Sequence, residues 1–567
     1  KLENVKIDRT GNKNIIRSSI DGLKIEVVGK NNLKNHGWSL IDVSKNTTIQ
    51  GSDTLNIQNT QNNLGINITA SANLTIKDCH LNVTSVGAGI RGWTNESLIF
   101  DNATVKVRGS GEGSIFEFKE INLNNTFISK PDGAKITNGK ITNAGGEIIK
   151  DTVKIEPIIG YDLWICGTQV TNANKNNLSV IDGVTGTVKY NPTTTTLTLD
   201  NADISCTTTS GISSEVDGLK IYLIGNNIIA NNGNSSTISL VANSNIVGSG
   251  TLDVINAATN GGAIYANNCT LLISNCTVNA IGGANGIRGT SNNTLIIEKA
   301  TVSAIGNTEG SIMDFKIITF TNCVISKPVG AVFNNSIRAI CNTLGNIITD
   351  TVKIVPAYDL WICGTQITDA NKDDLTVING VTGTAKYNTT TKILTLNNAD
   401  ISCTTTPGIS SEIDELKIDL IGNNTIANNG TSSTVSLFAN GKIMGSGTLD
   451  VVNAATNGCA IYANNCSLLI SNCTVNATGG ANGIKGTSNN AITFDKAAVS
   501  AIGNVEGSIM GFETITFTNC AISKPTGAVF NGTIKAICDT LGNIIKDTVR
   551  IAPVYDLWIC GTQVTTS

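Results

Sequence analysis

A strict long repeat is the feature that most restricts what this chain can fold into. The sequence YDLWICGTQ begins at Tyr161, Tyr358 and Tyr555, so the period is 358 − 161 = 197 and 555 − 358 = 197 residues. The two full copies agree almost residue for residue, and the segment 1–160 forms a more diverged, partial copy. The repeat divides the chain into a partial copy over 1–160, full copies over 161–357 and 358–554, and the start of a fourth over 555–567.

A shorter period lies inside each copy. Small residues that precede an apolar alternation stand at Gly250, Cys276, Ala300 and Cys323, in steps of 276 − 250 = 26, 300 − 276 = 24 and 323 − 300 = 23. Asn- and Gly-rich corners separate the apolar pieces, and no stripe of helical period is present. Strands that return at this interval without crossover helices can stack coil on coil at about 4.8 Å. The pattern predicts an all-β fold, a right-handed parallel β-helix (solenoid) with tandem repeats of 197 residues.

The segment from Tyr161 to about Leu199 interrupts this rhythm. Its sequence GTVKYNPTTTTLTL alternates on both sides of Asn191-Pro192 and predicts a β-hairpin. We place the repeat junctions in this segment. The hairpin either caps one β-helix or is absorbed into a continuous one, and the sequence leaves both arrangements open.

Composition excludes some classes of partner. Charged residues make up 14% of the chain and the net charge is −4, so no basic surface for nucleic acid is expected. No apolar run approaches the roughly 18 residues of a membrane helix, which predicts no membrane span in this segment. No charged-then-apolar leader opens the sequence, so we expect any export signal or anchor to lie outside it.

Three segments carry a family resemblance: YDLWICGTQVT at residue 161, GTVKYNPTTTTLTLDNADI from Gly186 and GTLDVINA from Gly250. Together they resemble repeats of bacterial cell-surface proteins of the YDLW type, which are similar to carbohydrate-binding parallel β-helix domains with pectate-lyase-like architecture. The resemblance implies an extracellular, cell-surface β-helix that binds sugar. Cys166, Cys363 and Cys560 stand where Val is expected in such relatives, a departure that leaves the fold intact.

Fifteen cysteines invite a disulfide framework. Cys79 and Cys276 occupy the position of the short repeat that holds Ala or Gly in other coils, which indicates that they are small buried residues instead. Two pairs fit the period of one coil, because 363 − 341 = 22 and 560 − 538 = 22, so their members could lie in register on adjacent coils. These candidate disulfides are Cys341 with Cys363 and Cys538 with Cys560.

The sequence predicts no catalytic residues, and the chain is not expected to be an enzyme. His36 and His80 are the only histidines and both lie in the diverged copy, so a repeated nucleophile–histidine site is excluded. A polysaccharide lyase needs acidic residues for a cation and a Lys or Arg base. The basic residue of the GIRG or GIKG motif recurs at Arg91, Arg288 and Lys485, but no repeated DxxxD motif accompanies it. We interpret this residue as a solvated charge at a coil corner or as a binding residue.

Aromatic residues of the long repeat are further candidates. Trp164 and Trp361 either pack in a junction core or offer a flat face to a sugar ring. Recurring acidic positions such as Asp253 and Asp450 are single, so no metal ligands and no cofactor are assigned; calcium is compatible but unsupported.

These observations favour a structural or adhesive repeat region on a microbial surface, a stalk or adhesin, that contacts polysaccharide or a host or neighbouring cell surface. Two alternatives are a carbohydrate-binding β-helix module with one site per copy, and a subunit that self-associates head to tail into a filament because terminal coils expose strand edges. The polysaccharide lyase is a further, less favoured alternative.

Overall fold

The computed structural model describes residues 1–487, 489–559 and 562–565, with side chains described up to residue 554. The chain is a parallel β-helix built almost entirely from strands. The described residues include two single-turn 3-10 helices, Leu178–Val180 and Leu375–Val377, and no α-helix. Two compact units form, residues 1–199 with 211–216 and residues 200–210 with 217–567. We call residues 1–160, 161–357 and 358–554 copies 1, 2 and 3.

Each coil of copy 1 contributes one strand to each of three parallel sheets, which we call faces A, B and C. Face A contains Leu2–Glu3, Leu23–Val28, Thr47–Gln50, Asn73–Lys77, Ser97–Asp101 and Glu120–Asn124. Face B contains Lys6–Arg9, Lys30–Asn35, Thr54–Asn59, His80–Ser85 and Thr104–Gly109, followed by antiparallel Val153–Pro157 and then Thr126–Lys130. Face C contains Ile16–Ser18, Ile41–Val43, Ile66–Ile68, Ala88–Arg91 and Gly113–Phe116. A separate hairpin pairs Lys135–Thr137 with Lys140–Thr142.

The same unit contains the junction between copies 1 and 2. Gly160–Ile165 forms a hairpin with Thr168–Thr171 and pairs antiparallel with Ile212–Ser214. Val184–Asn191 lies beside Thr196–Cys206, which is the hairpin that the sequence predicts around Asn191-Pro192.

Copy 2 repeats the three faces in the second unit. Face A contains Leu219–Ile224, Ser244–Gly248, Thr270–Ser274, Thr294–Glu298 and Ile317–Thr321. Face B contains the end of Thr196–Cys206, Asn226–Asn231, Thr251–Asn256, Thr277–Gly282 and Thr301–Gly306, followed by antiparallel Val352–Ile362 and then Cys323–Lys327. Face C contains Ile238–Leu240, Ile264–Ala266, Asn285–Arg288 and Gly310–Met313, then antiparallel Ala339–Cys341 and Val332–Asn334.

Copy 3 has the same plan. Face A contains the start of Ile393–Cys403, Leu416–Ile421, Gly441–Gly445, Leu468–Ser471, Ala491–Asp495 and Thr514–Thr518. Face B contains the end of Ile393–Cys403, Asn423–Asn428, Thr448–Asn453, Thr474–Gly479 and Ala498–Gly503, then Val549–Ile559 and Cys520–Lys524. Face C contains Ile409–Ser411, Val435–Leu437, Cys459–Ala463, Asn482–Lys485 and Gly507–Met510, then Ala536–Cys538 and Val529–Asn531. Two hairpin strands complete the copy, Thr365–Thr368 and Val381–Asn388, and beyond it Thr562–Thr565 pairs with Val549–Ile559.

The register of face B confirms the short period read from the sequence. Thr251 is paired with Thr277, and Thr277 with Thr301, so the residues that precede them stack in successive coils. The side chains of Val254 and Ala280, one above the other in this ladder, are fully buried. Alternate side chains of each strand point inward and are buried, so every coil contributes apolar side chains to the core.

The corner between faces A and B explains the frequency of Asn. This bend is short, and its first residue adopts a left-handed conformation, with φ of 48° at Asn102, 55° at Asn275 and 55° at Asn472. Asn tolerates this region better than most residues with a side chain. A second set of Asn residues is buried beside the corner: Asn227 donates to the carbonyls of Ile224 and Thr251 at 3.1 Å. The Asn residues at these corners are therefore structural.

Face B ends in a cap. Val352–Ile362 runs antiparallel and lies between Thr301–Gly306 and Cys323–Lys327. The predicted last step of the short period, from Ala300 to Cys323, is kept on face A, where Thr294–Glu298 pairs with Ile317–Thr321, whereas on face B this strand separates the two coils. The end of the same strand pairs with Ile409–Ser411 of copy 3. Of the two arrangements that the sequence leaves open for the hairpin, absorption into the β-helix is observed in copy 3, because its second strand, Ile393–Cys403, pairs parallel with Leu416–Ile421 and Asn423–Asn428.

The predicted disulfides are wrong. Cys363 is bonded to Cys403, at a sequence separation of 40, with Cα atoms 5.5 Å apart, whereas Cys341 and Cys538 are buried free thiols. The spacing argument fails because the segment between Cys341 and Cys363 does not form a coil: it makes a short antiparallel bridge to Ile347 and then the capping strand. Cys560 lies outside the described residues. Cys166 and Cys206, which occupy the equivalent positions one long repeat earlier, are also disulfide-bonded.

The other predicted role of cysteine is confirmed. Cys79 and Cys276 are free and buried, with 1% and 6% of their surface exposed. Burial raises the pKa of both thiols to about 12. They behave as small apolar residues at the corner and not as nucleophiles.

Candidate functional site

Trp164 and Trp361, from two of the three YDLW motifs, lie on the outer side of the sheet and not in a junction core. Leu360 and Ile362 are fully buried, and Trp361 between them is half-buried because strand alternation turns it outward. Trp164 has the same position between the fully buried Leu163 and Ile165. Outward-facing indoles are therefore presented beside Ile212–Ser214 and, on face C of copy 3, beside Ile409–Ser411.

In copy 3 the outward residues of face C form one column, which we call the face-C strip. Paired positions place Trp361 beside Ser410, Ser436 next, and Tyr462 beyond it. Lys485 follows Tyr462 on the next coil, and Met510 follows Lys485. Trp361 and Tyr462 are three strands apart, about 14 Å at the usual strand spacing. The two residues between them are the small Ser410, which is half-buried, and Ser436, which is buried.

The loop beside the face-C strip is held by buried amides. Asn428 and Asn453, exposed by 0% and 3%, both donate to the carbonyl of Ser432, at 2.9 and 2.7 Å. The Thr434 hydroxyl donates to the carbonyl of Val452 at 3.0 Å. These bonds fix the loop between faces B and C, so a ligand at the strip would not have to order it.

Copy 2 has the same outward column in the second unit. Ser239, Tyr265, Arg288 and Met313 stack in register. A shallow groove of about 520 Å³ lies over Tyr265 and Arg288, and Asn260, Asn285 and Thr290 contribute polar atoms to its wall. Tyr265 and Tyr462 each stand one coil before the recurrent basic residue, since 288 − 265 = 23 and 485 − 462 = 23.

The basic residues that the sequence singles out are neutralised by carboxylates. The Arg288 guanidinium contacts Glu309 at 2.7 Å and Asp314 at 3.0 Å, using two edges of the fork. Lys485 contacts Glu506 at 2.6 Å. In copy 3 Gly511 occupies the position of Asp314, so the second carboxylate is missing. Arginine, whose guanidinium can contact two carboxylates, therefore occurs where two acids are present, and lysine occurs where one is present.

The protonation of Lys485 follows from this pair. Burial disfavours the ammonium, but the hydrogen bond and charge of Glu506 outweigh it and raise the pKa of Lys485 above its ordinary value. Lys485 in turn lowers the pKa of Glu506. A lysine that acts as a general base needs a lowered pKa, so this arrangement favours a structural cation.

Copy 1 builds a variant of the same arrangement. Arg91 contacts Glu112 and Glu117, both at 2.7 Å. Its guanidinium lies 4.1 Å from the ring centre of Trp93, and the Trp93 indole donates to Asn67 at 2.9 Å. Each copy therefore has an aromatic ring beside a paired cation on face C.

Sequence reasoning found the cations and the tryptophans but missed their partners. The outward tyrosines carried a signal, since both stand one coil before the basic residue. The acids carried another, since Glu112, Glu309 and Glu506 all follow it at the same sequence separation of 21. Neither spacing matches the DxxxD motif expected of a lyase.

The single recurrent acids have local partners. Asp253 accepts a hydrogen bond from Asn279 at 2.7 Å, and Asp450 from Asn476 at 2.6 Å. Within the described part of the chain, no group of three or more His, Cys, Asp or Glu side chains could hold a metal ion. The described residues also contain no helix long and apolar enough to span a membrane.

Comparison with protein-family models, with curated proteins and with solved structures finds no match to this chain.

Proposed function

We propose that this chain is a non-catalytic, extracellular adhesive repeat region that binds neutral polysaccharide along face C. The observation that carries the proposal is the face-C strip, in which Trp361 and Tyr462 stack in one column with Ser410 and Ser436 between them. Aromatic faces stack on the apolar faces of sugar rings, and hydroxyls and amides pair with sugar hydroxyls. A strip about 14 Å long suits a polymer chain better than a single ring.

The paired cations support binding without turnover. Arg288 and Lys485 are each held by carboxylates within 3.0 Å. Proton abstraction by Lys485 would require breaking its contact with Glu506, and the raised pKa of Lys485 works against the neutral amine. The lyase alternative is therefore disfavoured by the same residues that first suggested it.

The Cys363–Cys403 disulfide supports an extracellular location. Disulfides persist mainly in oxidising compartments. The repeat architecture supports a structural role as well, because stacked copies present the same surface several times and raise the effective affinity for a polymer. Head-to-tail assembly into filaments stays a prediction of the sequence.

The test is retention of the full chain in gels that contain neutral β-glucan, mannan or xylan. We expect retardation in at least one of them, and we expect the combined variant Trp361→Ala, Tyr265→Ala, Tyr462→Ala to weaken it roughly tenfold or more, since each lost ring contact contributes on the order of 1 kcal/mol. The control is Tyr222→Ala, which removes an exposed aromatic side chain from face A.

Two results would contradict the proposal. One is migration of the wild-type chain that none of the neutral polymers changes. The other is release of unsaturated or reducing ends from a bound polymer by the wild-type chain, which would show turnover.

A further inference from the structure

A second concave site recurs outside face C, on the outer side of the junction hairpin. In copy 2 it is a pocket of about 540 Å³ lined by Lys175, Lys189, Tyr190 and several threonines. In copy 3 a pocket of about 580 Å³ is lined by the equivalent residues of the next long repeat, Lys372 among them. Each pocket therefore holds one lysine from the loop and one from the hairpin strand.

The pocket of copy 2 is built on fixed backbone. The Tyr190 amide donates to the carbonyl of Lys175 at 2.7 Å, which ties the loop to the hairpin. The Tyr190 ring is 4% exposed and packs edge-on against Tyr161, with ring centres 5.3 Å apart. Asn174 accepts from the Thr171 amide at 2.7 Å and so holds the turn that carries Lys175. The two lysines thus line a pocket whose backbone is held in place.

The two pockets share a shape and differ in charge. The side chains that line the copy 2 pocket include two lysines and no carboxylate, a formal charge of +2. The copy 3 pocket adds Asp373 and Asp419 to its two lysines, so 2 − 2 = 0. Lys372 also forms an ion pair with Asp369, whereas neither lysine of copy 2 forms an ion pair with any described residue.

This difference decides which ligand the copy 2 pocket suits. Two ammonium groups facing one cavity repel each other and are stabilised by an anion placed between them. The threonine hydroxyls and the amides of Asn176 and Asn191 suit the hydroxyls of a sugar. The whole chain has a net charge of −4, so the positive pocket is a local feature and not part of a generally basic surface.

We propose that the pocket formed by Lys175 and Lys189 binds the anionic group of an acidic sugar polymer, a carboxylate or a phosphate, and that the equivalent pocket of copy 3 does not. The site is separate from the face-C strip and does not depend on the neutral-polysaccharide proposal. It gives the chain a second, charge-selective contact to the same kind of polymeric surface.

The test is titration calorimetry of the full chain with two probes, oligogalacturonate for the carboxylate and a glycerol-phosphate oligomer for the phosphate. Binding of either probe supports the proposal and identifies the source of the anion. Lys175→Gln with Lys189→Gln should weaken binding roughly tenfold or more, because two charge-assisted contacts are lost. The matched pair Lys372→Gln with Lys386→Gln should leave binding unchanged.

A milder variant guards against loss of structure. Asn176→Asp places in copy 2 the carboxylate that copy 3 carries at Asp373, at a position on the pocket wall. It should weaken binding several-fold, and added salt should reduce the difference. The proposal is overturned if neither probe binds, if the two lysine pairs contribute equally, or if Asn176→Asp leaves the affinity as it was.

Discussion

The disulfide of the junction gives the sharpest prediction about stability. Cys363 and Cys403 close a loop with a sequence separation of 40 residues. In the chain-entropy account, restricting a loop of this size in the unfolded state contributes roughly 4 kcal/mol to the native state. Replacing both cysteines, Cys363→Ala with Cys403→Ala, should therefore lower the free energy for opening the capping strand by up to about that amount.

Hydrogen exchange measured by mass spectrometry suits this test because a chain of several copies need not unfold in two states. Peptides from Val352–Ile362 and Ile393–Cys403 should exchange faster in the double variant, and Thr277–Gly282 of copy 2 should not change. The control is Cys341→Ala with Cys538→Ala, which removes two free thiols and no cross-link. Equal loss of protection in the control, or a Cys341–Cys363 link in non-reduced peptide maps, would refute the reasoning.

Three further predictions follow from burial, backbone geometry and the paired cations. The ten free cysteines of the described chain are all buried, so Ellman's reagent should detect almost no thiol in the native protein and the full set after unfolding; rapid native reaction would contradict this. Asn275→Val should destabilise copy 2 by about 1–2 kcal/mol and Asn275→Gly by less, because the residue at φ 55° is left-handed; equal melting temperatures of the two variants would oppose the corner argument. Lys485 lowers the pKa of Glu506, so the stability that this pair contributes is present above the ordinary pKa range of a carboxyl group and is lost as the pH falls through the folded-state pKa of Glu506. Between about pH 5 and pH 3 the melting temperature should therefore fall slightly more for the wild type than for Glu506→Gln. An identical fall in the two proteins would show that the pair contributes nothing.

The coil period could be read from the sequence because successive coils repeat the same alternation of inward apolar residues. The small residues Cys276 and Ala300 mark the same corner in successive coils. The last step, to Cys323, holds on face A, but on face B the antiparallel strand Val352–Ile362, from further along the chain, enters the sheet between the two coils. No local sequence pattern predicts such an insertion, since apolar and polar residues alternate in this strand as they do in the others. The same insertion misled the disulfide prediction, which assumed a coil between Cys341 and Cys363.

The candidate site was predictable only in part for a related reason. Alternation shows that Trp361 faces outward once its neighbours are known to be core residues. Its alignment with Tyr462, far along the chain, depends on the register of four strands and on the cap. The acids were within reach, because Glu309 follows Arg288 by a nearly full coil, but a motif of adjacent acids was the wrong template for a solenoid.

The most direct test of the account is a crystal structure of the full chain with a neutral oligosaccharide that the gel assay has selected. We predict an intact sugar chain that lies along face C, with rings against Trp361 and Tyr462 and hydroxyls over Ser410 and Ser436. A sugar bound on another face, a cleaved product, or strands that do not place Trp361 and Tyr462 in one column would contradict it.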